Sequence, residues 1–175
     1  MKRILYGKDI FDAAFSHVKN ILLEKRTTQE SVKLHQEISI LSDKNPEKST
    51  ETRERTETAL SESAPLEVRE ELEERFPFIL ASVCAELGTI DKEYRRSEGE
   101  GEQEEYSEFF IGLDDVFPLC DKFSFPCAMY VCSMFMIDSD SEVSDKFFER
   151  YSDAVSEISS KIAWNLSTTT QKYPN

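Results

Sequence analysis

Six apolar residues near the end of the chain constrain its fold most. Val143, Phe147, Tyr151, Val155, Ile158 and Ile162 are spaced by three and four, which lines them along one face of an α-helix. Upstream, the segment from Asp121 to Ile137 is the densest apolar run in the sequence. Only Asp138-Ser-Asp-Ser-Glu142 separates the two. Helices joined by so short a polar turn fold back as an antiparallel hairpin, apolar faces together. The core is therefore expected between Leu113 and Trp164, with the other helices packed on it. Asp121 or Ser124 is read as the cap of the first helix, with Pro126 in its first turn. Ser139-Asp-Ser-Glu142 reads as a capping box for the second.

Before the hairpin the same spacing predicts further helices. Residues 8–24 carry Ile10, Phe11, Ala14, Phe15, Val18, Ile21 and Leu22 as a broad stripe. Asp9 and Asp12 stand near its start and Lys25 and Arg26 at its end, as the helix dipole favours. Residues 27–41 open on Thr27-Thr-Gln-Glu30, a capping-box pattern, and are read as a helix, although Val32, Leu34, Ile38 and Ile40 also alternate like a strand. A helix over 65–87 starts with Ser63 as cap and Pro65 just inside and stops at Gly88. Pro77 is expected to kink or restart it. Between these segments lie two polar insertions, at about 42–63 and 97–108, too poor in large apolar residues to hold a fold alone. Residues 165–175 read as a frayed tail or an arm that reaches a partner. The expected fold class is all-α: one domain over 1–175, a small helical bundle with a C-terminal antiparallel helix hairpin and long polar loop insertions.

Charge narrows the function. The net charge is −14, which repels phosphate backbones and anionic membrane surfaces. No stretch approaches the length of apolar sequence that spans a bilayer. The apolar residues after Lys2 and Arg3 are interrupted by Lys8, Asp9 and Asp12, unlike a signal peptide, so a cytosolic site of synthesis is expected. Cys84, Cys120, Cys127 and Cys132 sit among apolar neighbours and form no C-x-x-C pair, so they read as buried thiols rather than zinc ligands. His17 and His35 have no cysteine or acidic cluster at ligand spacing. The glycine-punctuated run from Glu98 to Glu105 lacks the pattern of a calcium loop. No phosphate loop, nucleophile elbow or H-E-x-x-H motif occurs, so no enzymatic role and no cofactor or metal is expected. Glu86, a carboxylate among Val83, Cys84 and Leu87, reads as a helix-edge residue or as the partner of Arg75 or Arg150.

Two stretches carry a family resemblance. The first combines Ile10, Phe11 and Ala14 with Arg75, Pro77, Ile79, Glu86 and Leu87. The second combines Leu113, Asp114, Asp115, Pro118 and Leu119 with Phe147 and Tyr151, across an apolar helix and an acidic turn. In order and spacing they resemble the small helical head–tail connector (adaptor) proteins of tailed bacteriophages. The resemblance implies a structural virion protein of the phage neck, made in the host bacterial cytoplasm. It would form a ring of about twelve identical subunits under the portal vertex. Portal protein would bind one side and the next neck or tail protein the other, while DNA passes through without specific binding. A ring of this kind needs two different complementary faces on each subunit. Thr168, Thr169, Thr170 and Tyr173 of the tail, Met129 and Met134 of the apolar helix, and Glu51, Arg53 and Arg55 of the first insertion are the candidate subunit or partner contacts. The alternative from the residues alone is a cytosolic helical adaptor or chaperone-like module that uses the Met-, Cys- and Phe-rich 123–137 face as a groove.

Overall fold

The computed structural model describes residues 4–42, 46–99 and 110–172, with side chains at 4–29, 32, 33, 66–99 and 110–167. These residues form an all-α bundle of four helices: α1 (Gly7–Ser42), α2 (Pro46–Ser97), α3 (Ser124–Met136) and α4 (Ser141–Lys172). A single 3-10 turn, Asp121–Phe123, leads into α3.

The predicted stripe of α1 faces inward, with Ile10, Phe11, Ala14 and Val18 buried. Phe11 is the aromatic hub between helices. It stacks on Phe15 at 5.7 Å and meets Phe76 of α2 and Phe135 of α3 edge-on at 5.3 and 6.2 Å. Arg69 lies over both the Phe11 and Phe15 rings and is held there by Glu73 and Asp12. The guanidinium thus seals the aromatic cluster from water as a cation–π lid.

The C-terminal pair is the expected antiparallel hairpin. Ser144 Oγ donates to the Ser133 carbonyl at 2.9 Å, and Tyr130 meets Tyr151 at 5.2 Å. Within the hairpin, α3 is the central element and contacts α1, α2 and α4. On α4 the stripe residues Phe147, Tyr151, Ile158 and Ile162 are buried, and Val143 and Val155 pack against them half-exposed.

Several boundaries differ from the sequence reading. α1 runs unbroken from Gly7 to Ser42, so 8–24 and 27–41 are one helix. Thr27 and Thr28 are mid-helix residues whose hydroxyls donate to the Leu23 and Glu24 carbonyls at 2.8 Å, not caps. The first polar insertion is helical from Pro46 onward. It contains no glycine, Pro46 occupies the first helical position, and adding residues to a helix already anchored at 66–97 avoids the cost of nucleation. Pro65 and Gly88 consequently lie inside α2 rather than at its ends, and the helix continues through Pro77. Around Pro77, Phe76, Ile79 and Leu80 are buried, which offsets the lost helix bond. Residues 165–172 continue α4 by the same propagation rather than forming a separate arm. Residues 100–109, which take in most of the second predicted insertion, and Tyr173 lie outside the described residues.

Two caps also shift. Asp140, not Ser139, caps α4: its Oδ1 accepts the Val143 N–H at 3.1 Å. Neither Asp121 nor Ser124 caps α3; Ser124 Oγ instead donates to the Asp121 carbonyl at 2.7 Å.

Candidate interaction surface

The residues that carried the resemblance converge in space. Glu86 pairs with neither arginine. Its carboxylate accepts the Tyr151 hydroxyl at 2.7 Å, tying α2 to α4. Burial, with the facing carboxylate, pushes the Tyr151 hydroxyl above the ordinary tyrosine range. Arg75 reaches the Met134 carbonyl at 3.3 Å and Asp138 at 3.4 Å, gripping the end of α3. Lys25 closes the same turn from α1, donating to the Ser139 carbonyl at 2.8 Å and to Asp140 at 2.6 Å. The Lys25 bond, with the Val143 N–H, holds the Asp140 carboxyl below its usual range.

The lead-in before α3 is built on the N-terminus. Asp115 folds the chain on itself by accepting the Gly112 N–H at 2.7 Å through its side chain. The Asp115 and Leu113 carbonyls then accept the Gly7 and Lys8 N–H groups at 2.9 and 2.7 Å, and Leu5 accepts Phe117 N–H at 2.8 Å. The first turn of α1 is thus satisfied by a distant loop rather than by water. Asp9 completes the start of the helix by accepting the Tyr6 N–H at 2.9 Å. A Cβ on Gly7 would lie 2.2 Å from the Gly112 carbonyl oxygen, so only glycine permits this approach. The Pro77 carbonyl accepts the Ile111 N–H at 3.3 Å, fastening the far end of the lead-in to α2.

Asp91 was missed in the sequence. It is 5% exposed. It accepts the Cys120 N–H at 2.9 Å and Arg95 Nε at 2.8 Å, fixing the entry to the 3-10 turn. The signal was present: Cys84, Leu87, Asp91 and Tyr94 follow the three-four-three spacing of the inward face.

The predicted contact residues fare unevenly. Met129 is 1% exposed and belongs to the core, so it has no surface to offer a partner. Met134 is half-buried against the core. Glu51, Arg53 and Arg55 lie on α2, and Thr168, Thr169 and Thr170 on α4, in stretches whose side chains are not described. Cys84, Cys127 and Cys132 are buried free thiols and Cys120 is half-buried. Burial pushes Cys132 up to about 12. Among the described residues no group of three His, Cys, Asp or Glu side chains is placed to hold a metal ion, and no helix is long and apolar enough to cross a membrane.

What the surface does offer is apolar. Phe78 and Phe110 are 62% and 50% exposed and meet edge-on at 5.6 Å. Ile4, Tyr6 and Val116 are also exposed, with Tyr6 and Val116 paired across an antiparallel bridge. Trp164 on α4 is 70% exposed. Two shallow grooves are predominantly polar or mixed. One of about 360 Å³ is bordered by Lys25, Arg26, Lys33 and Arg75, and one of about 530 Å³ by Lys122, Phe125, Arg150 and Lys161. Of the cations of the first, Lys25, Arg26 and Arg75 are already engaged by Asp140, Glu67 and Asp138. Comparison with protein-family models, with curated proteins and with solved structures finds no match to this chain.

Proposed function

We propose that the chain is a structural subunit of a bacteriophage neck. It assembles with copies of itself into a ring of about a dozen subunits that joins the portal vertex to the next neck or tail protein. The supporting observation is the convergence of resemblance-matching residues on tertiary contacts: Glu86 with Tyr151, Arg75 with the end of α3, Pro77 with Ile111, and Asp115 with Gly7. Isolated helix grammar would not require these positions to meet. The acidic surface suits a wall that DNA slides past without sticking. Helical stretches of α1 and α2 beyond the core, with the last turns of α4, supply length for contacts with neighbours.

The adaptor or chaperone alternative required an open groove along 123–137. Phe123, Cys127, Met129, Cys132, Phe135 and Met136 are all at most 1% exposed, so that face is already occupied by the protein's own core.

The test is reconstitution. The purified chain is mixed with a portal ring from the same phage genome and examined by electron microscopy. Added density in a ring under the portal supports the proposal. A chain that binds neither the portal nor the next neck protein, alone or together, contradicts it.

A further inference from the structure

We infer that the groove between the start of α3 and α4 docks a short acidic segment of a partner protein, one that carries an apolar anchor beside its carboxylates. At about 530 Å³ the groove has the size of a pocket for a small ligand or a few peptide residues. Helical spacing sets Arg150, Asp153, Ala154, Glu157, Ile158 and Lys161 along its α4 wall, flanking the buried stripe. Lys122, Phe125 and Pro126 form the opposite wall. Pro126 and Ile158 are buried, while Phe125 is 54% exposed. An apolar floor thus lies beneath a charged rim.

Charge selects the occupant. Over the whole chain 35 acidic residues outnumber 21 basic ones, yet this groove reverses the balance, with three cations against two carboxylates. Lys161 and Glu157 satisfy each other at 2.7 Å. Among the described residues the Lys122 side chain makes no hydrogen bond or ion pair, and Arg150 makes only a cation–π contact with Phe147, at 5.9 Å. A guanidinium resting on a ring face keeps its N–H fork free for a carboxylate. Two uncommitted cations therefore face one carboxylate, Asp153. They are too few to hold a nucleic-acid backbone against a net charge of −14, and phosphates would leave the apolar floor uncovered. An acidic peptide with an apolar side chain uses both features: its carboxylates pair with Lys122 and Arg150, and its anchor covers Phe125. The net charge does not cancel contacts this close, because salt screens charges beyond about 8 Å.

The groove belongs to the single chain, so this docking does not depend on ring formation. Fluorescence anisotropy of the fluorescein-labelled peptide EEFDELE, amidated at its C-terminus, reads the binding. The full chain is expected to bind it with a Kd of about 10–100 μM. The neutral analogue QQFNQLQ and the anchorless EESDESE should each bind about tenfold more weakly or worse. Lys122→Glu and Phe125→Ser should each cause a loss of the same size, with unchanged far-UV circular dichroism. Should Phe125→Ser misfold, the exposed Lys122→Glu carries the expectation. Asp153→Asn should instead tighten binding, because the competing carboxylate is gone. No binding at about 1 mM chain, variants that bind like wild type, or an Asp153→Asn chain that binds more weakly would each overturn the site. Displacement of the peptide by an equal concentration of a thymidine oligonucleotide of about 20 bases would assign the groove to nucleic acid and overturn the peptide reading.

Discussion

Replacing Asp91 with alanine removes a carboxylate that fastens the lead-in to α2. Its side chain is 8% exposed and that of its partner Arg95 is 16% exposed. One oxygen accepts Arg95 Nε and the other accepts the Cys120 backbone N–H. Truncating one member of a buried ion pair costs about 3–5 kcal/mol, because the other charge stays desolvated. Arg95 has further interactions and some solvent access, which lowers the expected cost to about 2–3 kcal/mol. At about 2–4 °C per kcal/mol for a chain of this length, the melting temperature should fall by about 5–10 °C. Asp91→Asn retains an acceptor for Cys120 but loses the charge, and should cost about 1–2 kcal/mol. Urea unfolding followed at 222 nm, with an unchanged denaturant slope, measures both. A double-mutant cycle with Arg95→Ala should return a coupling of about 1–2 kcal/mol. An alanine variant within about 0.5 kcal/mol of wild type would show that the buried pair contributes nothing net.

Three other expectations follow from the same geometry. Gly7→Ala drives a Cβ into the Gly112 carbonyl and should destabilise by about 1–3 kcal/mol, whereas Gly88→Ala, in open space inside α2, should stabilise by about 0.5–1 kcal/mol; thermal melts that rank them the other way would refute the packing of the lead-in. Tyr151→Phe deletes the bond to Glu86 and should cost about 1 kcal/mol near neutral pH. Because the folded-state tyrosine holds its proton to higher pH than the unfolded one, wild-type stability should fall as pH rises past the ordinary tyrosine range, and the phenylalanine variant should lose less. Asp140 works in the opposite sense: its folded carboxyl is held low by Lys25 and the Val143 N–H, so its contribution is full above the unfolded carboxylate range and fades as pH falls through the folded value. Asp140→Asn should therefore be less stable than wild type at neutral pH and converge with it in acid, as read from melts across pH.

The hairpin of α3 and α4 was legible because its apolar spacing is strong and its turn is short. The second half of α1 was read as a helix, though a separate one, whereas the long extensions of α2 and α4 were not. A polar stretch such as 46–63 has no inward face to read, yet it can extend a helix whose nucleus is elsewhere, and sequence spacing does not register that cooperativity. Pro77 does not end the helix: burial of Phe76 and Leu80 beside it offsets the missing backbone bond. Among the functional candidates, Met129 was assigned to a surface because its helix is apolar on nearly every side, and such a helix does not announce which side a partner helix covers. Glu86 and Tyr151 were both singled out, but their contact joins residues 65 apart in sequence and lies beyond any local pattern. Asp91 is marked in the sequence only by its register, which places it on the inward face of α2.

Native mass spectrometry of the chain bound to its portal ring tests the central proposal most directly. A closed assembly of about a dozen copies per portal is the predicted result. A chain that stays monomeric beside an intact portal ring would contradict it.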